Sequence, residues 1–320
     1  MKYFRRDIIK NGLLGVIGVF PFGGRAMELV NKEQLNKQVK FAYEVKQRNW
    51  VGDGFYVHGL LRPSKELINY ISPFILMDYA SPKMFSKTEM QRGVGEHPHR
   101  GFETVTVAYQ GEIEHLDSSG GGGVIKEGDV QWMTAGKGIV HQEYHSKKFS
   151  KEGGLLEMVQ LWVNLPKKYK MTEPKYQEIK NLNIPNIKIG DKAALRIISG
   201  EFAGSNGPAS TFTPINMFDI RGQVKENISL PIKEGTNTIL LIMKGNIEIE
   251  GNSFSEQNVL IFEREGRELN FTISEDFKGL LLNGEPIDEP VVAHGPFVMN
   301  TEQEIIEAID DYRNGKMGKI

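Results

Sequence analysis

The run Thr238-Ile239-Leu240-Leu241-Ile242-Met243 leads through Gly245-Asn246 to Ile247-Glu248-Ile249-Glu250 and Gly251-Asn252, and this pattern decides the fold. β-Branched and aliphatic residues in short runs, broken at Gly-Asn pairs, are the signature of strands joined by tight turns. The same pattern recurs at Thr104-Val105-Thr106-Val107-Ala108-Tyr109 and around Gly111 and Gly128-Asp129. Many short strands at turn spacing predict an all-β barrel or sandwich. At 320 residues the chain is long enough for two domains, since a domain takes roughly 150. Between about Pro166 and Asn186 the composition turns to Lys, Asn, Glu and Pro without strand periodicity, which marks an interdomain crossover.

Both ends of the chain depart from this pattern. Phe4-Arg5-Arg6-Asp7-Ile8-Ile9-Lys10 precedes an apolar run from Leu13 to Phe22, which stops at Gly23-Gly24-Arg25-Ala26. A basic segment, a short apolar segment and small residues at its end describe an export signal over residues 1–26, with paired arginines of the twin-arginine type. The apolar run is well short of the roughly 20 residues that span a bilayer. The expectation is a periplasmic protein with no stable membrane span once the signal is removed; an uncleaved leader leaves it cytoplasmic or membrane-anchored. The full chain carries 39 basic and 41 acidic side chains. Removing residues 1–26 takes away Lys2, Arg5, Arg6, Lys10, Arg25 and Asp7, leaving 34 against 40 and a net charge of −6. A mildly acidic chain offers no electrostatic reason to expect nucleic acid as a partner. At the other end, Thr301 and Glu304 form a capping box, and Ile305, Ile306, Ile309 and Tyr312 follow at helical spacing. One amphipathic helix is expected over residues 301–314.

The chemistry is narrowed by what is missing. The chain has no Cys, so disulfides, thiolate metal sites and thiol nucleophiles are excluded, and only seven His are present. Among these, His97-Pro98-His99 is the strongest feature. Residues two apart on a strand project from one face about 7 Å apart, so both imidazoles can converge on one cation. His141-Gln142-Glu143 repeats the arrangement with an imidazole and a carboxylate. Two adjacent strands would then provide three His and one Glu, a set suited to divalent iron, nickel, cobalt, copper or zinc. Four protein ligands leave one or two exchangeable positions on an octahedral ion. Glu103 shares the parity of His97 and His99 if their strand is continuous, and could be a ligand, a residue orienting an imidazole, or a satisfied buried carboxylate. His145 shares the parity of His141 unless the strand ends first. His58, His115 and His294 stand alone and read as structural or exposed. Gly120 to Gly123 lacks the Lys-Ser/Thr ending and following helix of a phosphate loop, and reads as a flexible hairpin loop near the pocket mouth. No nucleophile elbow and no dinucleotide fingerprint is present.

The stretch Gly95-Glu96-His97-Pro98-His99-Arg100-Gly101-Phe102-Glu103-Thr104-Val105-Thr106 resembles the first metal motif of pirins, a branch of the cupin superfamily. Gly128 to Glu143 is similar to the second, and Asn283-Gly284-Glu285-Pro286, Gly295 to Asn300 and Ile309 to Gly315 are similar to pirin C-termini. The resemblance covers most of the chain beyond about Lys40. It implies two cupin (jelly-roll type) β-barrels in tandem: a metal-binding barrel over 40–175, a metal-free barrel over 187–295, then the helix. It also implies one divalent metal, iron(II) first among the options, on His97, His99, His141 and Glu143, with Glu103 ranked below Glu143. Bacterial pirins are associated with quercetin 2,3-dioxygenase activity, so the resemblance implies a small aromatic enol and O2 as substrates and Glu143 as proton acceptor. Phe102, Trp132 and Met133, near the ligands in sequence, are candidates for an aromatic pocket, with strand parity favouring the core for some of them. Eukaryotic pirins suggest the alternative of a non-enzymatic metal- or redox-responsive protein-binding module. Lys83 to Arg92 is more polar than expected before the first motif, which implies altered substrate access. The leader is also unusual for a family regarded as cytoplasmic or nuclear.

Overall fold

The structure, a computed structural model, describes residues 35–64 and 66–320. The expected export signal lies outside them. Two barrels follow one plan, each a seven-stranded sheet facing a four-stranded sheet. In the first barrel the large sheet runs, in spatial order, through Lys175–Ile179, Val130–Thr134, Phe102–Gln110, Gly154–Asn164, Phe74–Phe85, Phe55–Leu61 and Arg48–Val51. The small sheet contains Gly93–His99, Ile139–His145, Glu112–Asp117 and Gly122–Lys126. In the second barrel Val39–Glu44, Asn258–Phe262, Asn237–Lys244, Phe277–Gly284, Ile215–Gly222, Ala193–Ser199 and Asn186–Lys188 face a sheet built on Glu226–Pro231 and Glu268–Ile273.

The large sheets pack back to back, which explains why their strands read as continuous apolar runs: both faces are buried. In Asn237–Lys244, Ile239, Leu241 and Met243 join Val105, Val107, Trp132, Val159 and Leu161 of the first barrel in one core between the sheets. The alternate residues Leu240 and Ile242 fill the second barrel with Leu195, Phe218, Leu260 and Leu281. The strands of the first barrel alternate differently. Val105 and Val107 face the other barrel, and Thr104 and Thr106, of opposite parity, turn inward. A polar interior is therefore written into the alternation of Thr104-Val105-Thr106-Val107.

The expected boundaries at residues 40 and 175 are corrected by strand exchange. Val39–Glu44 pairs with Asn258–Phe262 and belongs to the second barrel. The buried Lys37 clamps this segment, its Nζ donating to the carbonyls of Thr236, Glu263 and Arg264. Burial lowers the Lys37 pKa to about 8. Conversely, the crossover contains a strand, Lys175–Ile179, that edges the first barrel beside Val130–Thr134. Its mixed polar sequence fits an edge position, and Pro174 just before it hid the periodicity.

The C-terminal segment also returns to the first barrel. The helix Glu302–Arg313 has Thr301 as N-cap, with the full capping box to Glu304. Ile305, Ala308 and Ile309 pack with Met317 onto Val140, Phe297 and Met299. The expected apolar face is corrected in part, because Ile306 and Tyr312 are exposed. Ile306 stands about 100° round the helix from Ile305, off the 305–308–309 stripe. Among the described residues no helix is long and apolar enough to cross a membrane.

Candidate metal centre

The small sheet of the first barrel sets three strands side by side so that His97, His141 and Asp117 lie in one row, with Glu143 and His115 opposite each other further along. His99 lies opposite Ile139. A bulge at Gly95-Glu96, where the register shifts between His141 and Glu143, twists the edge strand. The three imidazoles of His97, His99 and His141 then close on one another, with ring centroids 4.2, 4.7 and 4.9 Å apart. His97 Nδ1 lies 2.7 Å from the Gly95 carbonyl and His99 Nδ1 3.3 Å from that of Pro296. Each carbonyl accepts from Nδ1–H, which keeps the proton on Nδ1 and leaves Nε2 as the lone-pair nitrogen. His141 Nε2 is buried and has no hydrogen-bond partner. Burial and the neighbouring imidazoles lower the His99 pKa to about 3 and hold His141 well below the usual value. These are neutral imidazoles, the form that binds metal.

Glu143 is held from across the barrel. Gln131, Thr106 and Gln160 lie in register on neighbouring strands of the large sheet. Gln131 Nε2 donates to Glu143 Oε1 at 3.0 Å, Thr106 Oγ1 to the same oxygen at 3.2 Å, and Gln160 Nε2 to Oε2 at 3.1 Å. Donor atoms of His97, His99 and His141 all lie within 4.8 Å of one another, as do those of His115, His141 and Glu143. The two groups share His141. An orphaned buried imidazole nitrogen beside two more lone pairs and a carboxylate fits a divalent transition metal.

His115 corrects the expectation of an isolated structural residue. It is fully buried, stacks on Tyr176 at 5.0 Å, and places Nε2 3.0 Å from Asp117 Oδ2. His115-Leu116-Asp117 is itself a same-face pair, a signal legible in the sequence. The loop after it is tied down: Asp117 Oδ1 accepts from Ser119 N, Ser119 Oγ and Gly121 N. Burial opposes ionisation of Asp117, but these bonds and that from His115 prevail and lower its pKa to about 2.

Glu103 stands apart from the imidazoles. The chain turns at Gly101, whose φ is +87°, so His97–His99 and Phe102–Gln110 lie in different sheets and parity does not carry across. Glu103 instead accepts from Thr134 Oγ1 at 2.7 Å, and burial raises its pKa to about 7. The strand does include His145, but that ring is packed among Phe55, Phe85 and Phe149 with Nε2 2.9 Å from the Gly54 carbonyl. His58 is also structural, accepting from Arg48 Nε at 2.8 Å, and His294 is exposed. Of the expected pocket residues, Phe102 packs 5.0 Å from His99. Trp132 lies in the core between the barrels and Met133 in a small cluster with Ala135 and Ile139. The aromatic residue that reaches the site is Trp162, 5.2 Å from His99 and 4.3 Å from Phe102. It lies outside both motifs, and no signal in the sequence marks it.

Residues 57–163 match the pirin family, and residues 217–318 match the pirin C-terminal cupin domain. The chain belongs to the pirin family. A Pseudomonas aeruginosa protein, named as a candidate quercetin 2,3-dioxygenase, is 44% identical over 88% of this chain and 98% of its own length. The solved quercetin 2,3-dioxygenase of Acinetobacter baumannii is 49% identical, with a TM-score of 0.85 over 89% of this chain and 99% of that one. Rattus norvegicus pirin is 37% identical over 78% of this chain and 84% of its own. Among the described residues, the imidazole cluster occupies the first barrel only, while the second is filled by the aliphatic cluster around Leu240 and Leu281.

Proposed function

We propose that this pirin is a metal-dependent dioxygenase that cleaves flavonol-type enols such as quercetin with O2, on a divalent ion held by His97, His99, His141 and Glu143. The observation that carries the reading is the buried, unpartnered Nε2 of His141 facing the imidazoles of His97 and His99. The relatives named for quercetin 2,3-dioxygenase supply the substrate class. When bound, the ion, iron(II) in our reading, supplies Lewis-acid polarisation of the enol and redox contact with O2.

The chain's own residues bind, orient and take a proton. Glu143 accepts the substrate hydroxyl proton. Oε2, which receives one protein donor where Oε1 receives two, is the freer oxygen for it. Gln131, Thr106 and Gln160 fix the carboxylate plane. Phe102 and Trp162 offer an aromatic wall beside His99 for the flavonol rings. Buried Thr104 Oγ1 and Gln131 Oε1 have no protein partner and are free for polar groups of a ligand.

Elemental analysis of the purified protein and O2 uptake with a flavonol panel test this reading. Metal-loaded protein should consume O2 with quercetin, and His99→Ala should abolish uptake; loaded protein inert towards every flavonol would sink the substrate class. We further propose export by the twin-arginine-type leader, supported by the paired Arg5-Arg6 and the short apolar run after them. A reporter fused after residue 40 that remains cytoplasmic would overturn it.

A further inference from the structure

We infer that Asp117 and His115 are positioning residues that set the tautomer of His141 and so aim its Nε2 lone pair at the cation. This inference rests on the reading of His141 as a ligand. The bonding is a chain of single-proton choices. Asp117 Oδ1 is committed to three donors, Ser119 N, Ser119 Oγ and Gly121 N, at 2.8, 2.6 and 3.0 Å. The other oxygen, Oδ2, faces His115 Nε2 at 3.0 Å. An ionised carboxylate only accepts, so His115 carries its proton on Nε2 and its Nδ1 is an acceptor.

Two groups face that Nδ1. Gln131 Nε2 lies 3.2 Å away and His141 Nδ1 3.4 Å away. The Gln131 amide orientation is fixed by its 3.0 Å bond to Glu143 Oε1, which needs a donor. His141 can approach an acceptor only with its proton on Nδ1, and that leaves Nε2 bare. Nε2 is the buried atom without a partner. The ring stack of His115 on Tyr176, at 5.0 Å and 16° between planes, fixes the His115 ring, to which the His141 ring is tilted by 53°. His115 belongs to the second group of neighbouring donor atoms, yet its only free nitrogen lone pair is spent on these two donors. It orients a ligand rather than binding the ion. A partner that fixes which imidazole nitrogen is protonated is a recurrent device at metal sites, worth about 10–100-fold in metal affinity.

Asp117→Asn separates this from a structural role, because it changes a proton and almost no volume. The three donors on Oδ1 hold the Asn carbonyl in place, which turns its NH2 towards His115 Nε2. His115 must then accept at Nε2 and carry its proton on Nδ1. That proton faces both the Gln131 amide NH2, held as a donor by Glu143, and His141; only His141 can turn acceptor there, so its Nδ1 takes the bond and its Nε2 becomes protonated. The opposite Asn rotamer would set its NH2 against three donors and leave two backbone N–H groups without an acceptor, which is the costlier choice.

The test uses the full-length metal-free protein and long-range proton–nitrogen NMR of the His side chains, followed by titration with cobalt(II). In the wild type, His115 should show the Nε2–H form and His141 the Nδ1–H form. In Asp117→Asn both should reverse, and cobalt affinity should fall about 10–100-fold. His115→Phe, which keeps a ring on Tyr176 but removes the acceptor, should lose the fixed His141 tautomer without reversing it. Unchanged His141 signals in Asp117→Asn, or an Nε2–H form in the wild type, would overturn the inference. Failure of the underlying reading looks different: cobalt would bind His99→Ala as tightly as wild type, whatever the tautomers show. A variant that does not fold is recognised by loss of amide dispersion, and His115→Phe then decides alone.

Discussion

The C-terminal helix should govern the metal centre from a distance, and Ile305→Ala tests this. Ile305 is the largest side chain that the helix buries; Ala308 contributes one methyl and Ile309 is only partly covered. The residues it packs among join the site directly. Val140 precedes His141, and Pro296, next to Phe297, provides the carbonyl facing His99 Nδ1. Ser118, beside Asp117, donates to the Met317 carbonyl at 2.7 Å. Truncating a buried Ile to Ala costs roughly 2–5 kcal/mol. A helix at the rim can settle into part of the space, so the lower end applies, about 2 kcal/mol, equivalent to about 30-fold in an opening equilibrium. The Arg100–Asp311 ion pair at 2.9 Å and the Ser118–Met317 hydrogen bond remain in the variant, so the helix is loosened rather than released. Hydrogen exchange read residue by residue is the assay. Amides of Phe297–Met299 and Glu302–Arg313 should exchange about 30-fold faster, while those of Asn237–Lys244 in the second barrel should not change. Metal affinity should fall with them. Equal acceleration in both barrels would refute local undocking, and unchanged exchange at Val298 would refute the role of Ile305.

Three further outcomes follow from particular residues. The folded pKa of Glu103, raised to about 7 from 4.5, means that the native state keeps a proton which the unfolded chain releases between those values. Stability therefore falls as pH rises through that window, and Glu103→Gln should equal wild type near pH 4 but exceed it by about 3 kcal/mol at pH 8 in urea unfolding. Gly101→Ala should destabilise by more than the roughly 1–2 kcal/mol of a left-handed backbone, because its Cβ would run into the Val298 carbonyl; thermal unfolding reads this. Trp162→Ala should raise KM for quercetin about tenfold, near the upper value for an aromatic contact, with the metal content measured by elemental analysis unchanged.

What the sequence revealed follows the range of each interaction. The capping box and the i, i+2 pairs at His97-His99 and His141-Glu143 are local geometry, and the structure brings the three imidazoles together as parity requires. Parity misleads where the chain changes sheets. Gly101 turns the backbone, so Glu103 faces Thr134 rather than the imidazoles. Gln131, Thr106 and Gln160 were illegible for another reason: their convergence on Glu143 depends on the register of three strands that one sequence does not specify. His115 reads as isolated when only His–His and His–Glu pairs are counted, although His115–Asp117 has the same spacing. The place of Val39–Glu44 depends on a partner strand more than two hundred residues later, beyond any local signal.

That exchanged strand has a consequence for biosynthesis. The first of the described residues to leave a ribosome depend on late ones: Lys37 waits for carbonyls 199 to 227 positions further on. The first barrel, whose strands emerge in between, has its imidazole cluster translated while Phe41, Ala42 and Tyr43 still lack the strand that will cover them. Closing so long a loop is entropically slow. The second barrel should therefore set the pace of maturation, although the chemistry lies in the first.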